Sequence, residues 1–129
     1  MAMKQEESIY RSNLDIGSIR QVLRGALGGK VEISPLQFDA LDDPPDFAVL
    51  AEKSATFGAQ SAIQIYINDE GDHRKIALVA LGDGAFGRIM GASHGAMNNG
   101  SVKLSGGRKM ITQVVEALRR QDSSLQQVG

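Results

Sequence analysis

The most regular hydrophobic pattern in the chain is the alternation in SAIQIYIN, residues 61–68. Ile63, Ile65 and Ile67 fall on one side of an extended segment and polar residues fall on the other, as a half-buried strand requires. After the turn DEGD the chain continues into the apolar run IALVAL, residues 76–81. This pattern predicts an antiparallel hairpin whose second strand is buried on both faces and central in a sheet.

A helical period is present in DIGSIRQVLRGAL, residues 15–27, where apolar side chains recur at three- and four-residue steps. Asp15 or Asn13 can cap this helix, and Gly28 with Gly29 can end it. Gly25 within the helix costs up to about 1 kcal/mol relative to alanine. We therefore expect a close packing contact at Gly25.

A second amphipathic helix is predicted near the C-terminus, with Ser105 as its cap and Arg119 and Arg120 at the negative end of its dipole. The residues that follow, 122–129, are polar and are predicted to form a flexible tail. The apolar stripe of this helix consists of Met110, Ile111, Val114, Val115 and Leu118.

The remaining extended segments are less regular. SIYRSNLD (8–15) is predicted to contain a short strand. KVEISPLQF (30–38) is typical of an edge strand or of a strand that breaks, because Pro35 interrupts it. FAVLAEKSA (47–55) suits a strand or a helix. Two short strands weakened by glycine are predicted over residues 85–104.

Together these elements predict an α+β fold: a mostly antiparallel sheet of about five to seven strands, with one helix in the N-terminal half and a C-terminal helix packed on one face. One domain over residues 1–121 accounts for the length. In element order alone the chain resembles the helix-grip domains of lipid-transfer and pollen-allergen proteins, in which a curved sheet wraps a C-terminal helix around a ligand cavity. This chain has one helix between strands where those domains have two. Because the likeness is one of element order, it carries no function.

Composition excludes several kinds of chemistry. Among 129 residues there is no cysteine, so disulfides, thiolate metal sites and cysteine nucleophiles are ruled out. The sequence MAMKQEESIYR lacks the apolar run of a signal peptide, and no segment approaches the roughly 20 apolar residues of a membrane span. We expect a cytoplasmic protein with no membrane partner and no cofactor.

The net charge of −1 conceals a separation along the chain. Residues 32–72 carry nine acidic residues against one lysine, whereas residues 73–129 carry eight basic residues against three acidic ones. Three interpretations are open: a mixed surface within one subunit, a basic face that attracts an anion, or acidic and basic faces that pair in a homodimer. Nucleic acid is disfavoured because Phe86 is the only aromatic residue among the basic ones.

The glycine-rich segment of the chain, residues 81–110, offers two candidate anion sites. GDGAFG, residues 82–87, matches a dinucleotide fingerprint and follows a strand, but no helix and no acidic residue come after it at the required places. We interpret it as a turn or bulge. SGGRK, comprising Ser105, Gly106, Gly107, Arg108 and Lys109, places flexible backbone and two cations at a helix start, where an anion can bind. A plain helix start is the alternative.

The candidates for catalysis and metal binding are few. His94 is the candidate acid or base, but its neighbour Ser93 points to the opposite side of a strand, so a serine such as Ser54, Ser61 or Ser101 would be needed. The cluster NDEGDHR, residues 68–74, is shorter than a calcium loop and has the composition of a solvated turn. We predict no metal site.

Three functional hypotheses follow. The first is a non-enzymatic module that binds a protein partner, a second copy or a small ligand through an apolar patch of Phe86, Ile89, Met90 and Met97. The second is a regulatory or catalytic domain that binds an anion or phosphate compound at Ser105–Lys109. The third is an enzyme that uses His94.

Overall fold

The computed structural model describes residues 5–28, 31–35, 45–54, 60–82 and 103–129. In these ranges the chain forms six strands and two helices. In chain order they are β1 (Gln5–Ser12), α1 (Ile16–Leu27), β2 (Val31–Pro35), β3 (Phe47–Ser54), β4 (Gln60–Asp69), β5 (Arg74–Leu81), α2 (Leu104–Gln121) and β6 (Gln126–Gln127). The two strands predicted over residues 85–104 lie outside the described residues up to residue 102, and Leu104, at the end of the second, is the first residue of α2.

All six strands belong to one sheet in the order β2-β3-β4-β5-β1-β6, and every neighbouring pair is antiparallel. This confirms the predicted α+β class. The hairpin of β4 and β5 has Ile65 opposite Leu78. β5 lies between β4 and β1, as its apolar run predicted, and β2 is an edge strand that ends at Pro35.

The core lies between one face of the sheet and the two helices. Ile63, Ile65 and Ile67 of β4 are fully buried on this face. Val79 and Leu81 point to the opposite face and are 4% and 0% exposed, so β5 is buried on both sides as predicted. The helix residues in the core are Ile19, Leu23 and Leu27 of α1 and Met110, Val114 and Leu118 of α2.

The ends of α1 follow the sequence prediction. The amide of Ser18 donates to Asp15 Oδ1 at 2.7 Å, and Gly28 ends the helix with a φ of 75° while its amide bonds to Arg24 O. The expected contact at Gly25 is not found among the described residues: apart from its chain neighbours and the backbone of its own helix, none of their atoms lies within 4 Å of a Cβ placed there.

The start of α2 is also different from the prediction. The cap position is Lys103, which makes no side-chain capping bond, and Ser105 is the second residue of the helix. The amides of Gly106 and Gly107 bond to Lys103 O at 3.1 and 3.3 Å. The helix therefore begins early enough to include both glycines, whose packing is described below.

The C-terminal segment packs against β1. The buried Asp122 carboxylate accepts hydrogen bonds from Ser12 Oγ and the Asn13 amide, both at 2.8 Å. Leu125 is buried, and Gln126–Gln127 pairs with β1. This arrangement differs from the flexible tail that the sequence indicated, because Asp122 and Leu125 have partners far away in sequence.

Candidate functional site

The two glycines of SGGRK pack the first turn of α2 onto the sheet. A Cβ on Gly107 would lie 2.9 Å from Ala80 Cβ and 3.0 Å from Ala62 O, closer than ordinary van der Waals contact. A Cβ on Gly106 would lie 2.8 Å from Ser61 Cβ. Close helix-to-sheet packing therefore accounts for both glycines without a ligand.

Arg108 is engaged by β1. Its Nε donates to Glu6 Oε2 at 2.6 Å and its Nη2 to Glu6 Oε1 at 2.5 Å, a two-pronged ion pair. The hydrogen bond to Arg108 lowers the pKa of the Glu6 carboxyl. Ser105 and Lys109 remain exposed on the same turn. The predicted anion site stays a prediction, but three of its five residues now have structural roles.

The other sequence candidates fall elsewhere. His94 and the patch of Phe86, Ile89, Met90 and Met97 lie outside the described residues. In the described part of the chain, no three His, Cys, Asp or Glu side chains group as metal ligands.

The predicted acidic turn is present between β4 and β5. Asp69 Oδ1 accepts hydrogen bonds from the Gly71 amide at 2.9 Å and from Arg74 Nη1 at 3.1 Å, and Gly71 has a φ of 97°. The amide of Gly71 and the guanidinium of Arg74 lower the pKa of Asp69. At this turn the acidic and basic segments of the chain meet within one subunit.

An open groove lies beside α1, over the edge of the sheet. Six strands spaced about 4.8 Å apart make a sheet about 29 Å wide, whereas two helices of about 10 Å diameter cover about 20 Å. Part of the uncovered surface lies at the β2 edge, where Ile33 is exposed beside α1. We name the resulting space of about 340 Å³ the arginine groove. It is lined by Arg20, Leu23, Arg24, Ile33, Pro35, Phe47 and Val49.

The arginine groove combines an apolar floor with two cations. The Arg20 guanidinium lies 4.8 Å from the centre of the Phe47 ring, and Ile33 is 36% exposed on the edge strand. Within the described ranges, neither Arg20 nor Arg24 is within ion-pair distance of a carboxylate. Positive charge and apolar surface thus lie side by side in the described part of the chain.

Sequence reasoning missed this groove, although part of the signal was present. Arg20 and Arg24 are four residues apart, so they share one flank of α1 beside its apolar stripe. The edge-strand prediction for β2 was correct. What the sequence did not reveal is that this flank of α1 faces Ile33 and Phe47, which depends on the order of strands in the sheet.

Two further depressions occur among the described residues. The interhelix groove, about 400 Å³, lies between α1 and α2 and has Gly25 and Ala117 in its lining. A smaller one, about 220 Å³, lies on the sheet face away from the helices beside Tyr66 and Lys75. Burial raises the pKa of the Tyr66 hydroxyl.

Comparison with protein-family models, with curated proteins and with solved structures found no match to this chain. Neither described helix is both long and apolar enough to cross a membrane. The function must therefore be argued from the chemistry of the grooves.

Proposed function

We propose that this protein is a non-enzymatic binding domain, and that its ligand is an organic anion with an apolar part, held in the arginine groove. The observation that carries the proposal is a pair of guanidinium groups that have no ion-pair partner among the described residues, beside an apolar space of about 340 Å³. This volume is near the lower end of the range of about 300–1,000 Å³ for small-molecule sites.

The two arginines favour an anionic ligand because their positive charges repel each other. Like charges four residues apart on a helix destabilise it by about 0.2–0.5 kcal/mol. A carboxylate or phosphate between Arg20 and Arg24 removes this repulsion and accepts hydrogen bonds from both groups. The Phe47 ring supports the Arg20 guanidinium through its face, which orients that cation before a ligand arrives.

The apolar lining favours a ligand with a hydrocarbon or aromatic part. Ile33 and Pro35 lie on the edge strand and Leu23 on α1, so an apolar group placed between them removes their surface from water. At roughly 25 cal/mol per Å² of apolar surface, this contribution adds to that of the charges. The side chains that line the arginine groove are hydrocarbon, aromatic or guanidinium groups, which suit ligand binding rather than catalysis.

The test uses sodium octanoate as the probe, with acetate and octanol as its separate halves. We expect octanoate to raise the melting temperature of the protein more than either half does, because only octanoate offers both an anion and a chain. The double variant Arg20→Gln/Arg24→Gln should lose the shift. Arg119→Gln is the matched control, since Arg119 is an exposed arginine on α2 outside the groove lining.

Two results would contradict this function. One is an octanoate shift no larger than that of acetate. The other is an octanoate shift that persists in the double arginine variant, which places the binding elsewhere.

The alternative is an anion or phosphate site at the start of α2. The observation in its favour is that the first turn of α2 has no acidic residue and no side-chain cap, while Lys109 makes no ion pair in the described structure. Inorganic phosphate tests it: stabilisation that is lost in Lys109→Ala supports this site, and stabilisation that is lost only in the Arg20/Arg24 variant assigns the anion to the arginine groove.

A further inference from the structure

The depression of about 220 Å³ on the sheet face away from the helices, which we name the sheet-face pocket, lies over three rows of side chains. Residues directly opposite each other in antiparallel strands share a face of the sheet, so the register of β1, β5 and β4 defines each row. In order along the strands the rows are Arg11, Lys75 and Asn68; Ile9, Ala77 and Tyr66; and Glu7, Val79 and Gln64. Of these nine residues, all but Arg11, Val79 and Gln64 line the pocket.

One end of the sheet-face pocket is positive. Lys75 lies directly opposite Arg11, and like charges in this position destabilise a sheet. Both side chains are exposed, and neither has a carboxylate within ion-pair distance in the described ranges. Asn68 lies opposite Lys75 on the other side and carries two amide donors. A carboxylate at this end would reduce the repulsion and accept hydrogen bonds from Lys75 and Asn68.

The other end of the pocket is negative. Glu7 is exposed and has no cation within ion-pair distance among the residues that the structure describes. It lies opposite Val79, four residues along β5 from Lys75. Four residues at about 3.3 Å each place Glu7 about 13 Å from Lys75 along the strands, so the two charges do not neutralise each other.

This separation defines the length of a ligand that meets both charges. Two residues of extended peptide span about 7 Å. A charge-assisted hydrogen bond of about 2.8 Å at each end brings the total to about 13 Å. A molecule with an ammonium group and a carboxylate about 7 Å apart therefore reaches from Glu7 to Lys75.

The middle of the pocket is largely apolar. Ile9, Ala77 and Pro45 contribute hydrocarbon surface, and the Tyr66 ring is half-buried beside them. Burial raises the pKa of the Tyr66 hydroxyl, so at neutral pH this group stays protonated and adds no third charge. The volume of about 220 Å³ is below the range of about 300–1,000 Å³ for drug-sized ligands, which favours a small molecule.

From the charged ends and the apolar middle we propose that the sheet-face pocket binds a small zwitterion, such as a dipeptide or an ω-amino acid of the same length. A simple organic anion would meet Lys75 but leave Glu7 without a partner, and an amine would do the reverse. The lining of the arginine groove contains two arginines and no acidic residue, so the two sites differ in the ligand that they favour. This proposal does not depend on the arginine groove, which lies on the helix side of the sheet.

The experiment uses 6-aminohexanoate as the probe, with hexanoate and hexylamine as its singly charged counterparts. Binding is followed by the NMR shifts of the Tyr66 and Ala77 amides, which report on this pocket and not on the arginine groove. We expect 6-aminohexanoate to bind with a Kd at least about threefold below that of either counterpart, and added NaCl to weaken it. A titration with alanylalanine then distinguishes the two kinds of zwitterion: tighter binding than 6-aminohexanoate indicates a peptide, and weaker binding indicates an ω-amino acid.

The variants remove one charge at a time and have matched controls. Lys75→Gln and Glu7→Gln act at the two ends of the pocket, whereas Lys53→Gln and Glu32→Gln remove exposed charges outside its lining. We expect each pocket variant to raise the Kd for 6-aminohexanoate about threefold or more, and each control to leave it nearly unchanged. Glu7→Gln should also abolish the preference for 6-aminohexanoate over hexanoate, an effect that a loss of structure would not produce.

Three outcomes would overturn the proposal: no shift of the Tyr66 and Ala77 amides, hexanoate or hexylamine binding as tightly as 6-aminohexanoate to the wild type, or a Kd that Lys75→Gln and Glu7→Gln leave unchanged. The variant Arg20→Gln/Arg24→Gln separates this site from the arginine groove. It should retain the binding of 6-aminohexanoate, and loss of that binding would assign the zwitterion to the arginine groove and refute the sheet-face pocket.

Discussion

Alanine substitutions at Gly25 and Gly107 are expected to change stability in opposite directions. Both residues lie within helices, so both substitutions gain helix propensity. The difference lies in what the added methyl group meets. A Cβ on Gly25 would meet no atom of another described element within 4 Å, whereas Gly107 lies against β4 and β5.

For Gly25→Ala the gain is close to the full propensity difference, about 1 kcal/mol. It comes mainly from the smaller conformational entropy of alanine in the unfolded chain. For a domain of this size, about 1 kcal/mol corresponds to a rise in Tm of roughly 3–5 °C.

For Gly107→Ala the propensity gain is outweighed. The new Cβ would lie 2.9 Å from Ala80 Cβ and 3.0 Å from the carbonyl oxygen of Ala62. Neither atom can rotate away, so the start of α2 must move off the sheet. Overpacking of this kind costs about 1–3 kcal/mol, occasionally more. We expect a net loss of up to about 2 kcal/mol once the propensity gain of about 1 kcal/mol is subtracted.

Urea unfolding followed by circular dichroism at 222 nm measures both effects as shifts of the midpoint at constant slope. A lower midpoint for Gly25→Ala would refute the reasoning, because it would mean that Gly25 makes a contact within the fold. A midpoint raised in Gly107→Ala as much as in Gly25→Ala would show that α2 does not lie as close to β5 as the 2.9 Å distance requires.

Three other predictions follow from described contacts. Burial alone would raise the pKa of Asp122, but hydrogen bonds from Ser124, Asn13 and Ser12 outweigh it and lower the pKa from 3.8 to about 2. Because this carboxyl binds its proton more weakly in the folded state, it stabilises the protein above about pH 4, and that stabilisation is lost as the pH falls towards 2. Asp122→Asn should therefore lower stability at pH 7 by about 2 kcal/mol and by much less at pH 2, as urea midpoints at the two pH values will show. The double variant Glu6→Arg/Arg108→Glu should restore the Tm that Glu6→Arg alone loses, and 1 M NaCl should reduce the loss in Glu6→Arg. A loss of Tm that is equal at low and high NaCl concentration would contradict an ion pair. Gly28→Ala and Gly28→Asn should both lower the Tm, because a φ of 75° with a ψ of 179° is a backbone conformation that is essentially restricted to glycine; an unchanged Tm in either variant would contradict the conformational cause.

The parts of the fold that could be predicted are those that depend on residues close together in the sequence, such as apolar residues at a regular spacing. The alternation around Ile65 and the run through Leu78 were enough to pair β4 with β5 and to place β5 centrally. The caps of α1 were readable because Asp15 and Gly28 act within four residues of their partners. Local chemistry of this kind does not depend on the rest of the chain.

The parts that failed depend on distant contacts. Ser105 has the composition of a cap, but α2 starts earlier because Gly106 and Gly107 must lie inside it to reach the sheet. Asp122 bonds to Ser12, 110 residues away, so a polar C-terminal segment gained partners that no local pattern reveals. The arginine groove was missed for the same reason, since it joins α1 to β2 and β3.

The exposed side of α1 departs from what stability alone requires, and its departures coincide with the two grooves. A surface helix is stabilised by alanine rather than glycine and by opposite charges four residues apart. α1 instead carries Gly25 at one groove, and Arg20 and Arg24, two like charges, at the other. Violations of local rules without compensation inside the fold are typical of functional surfaces.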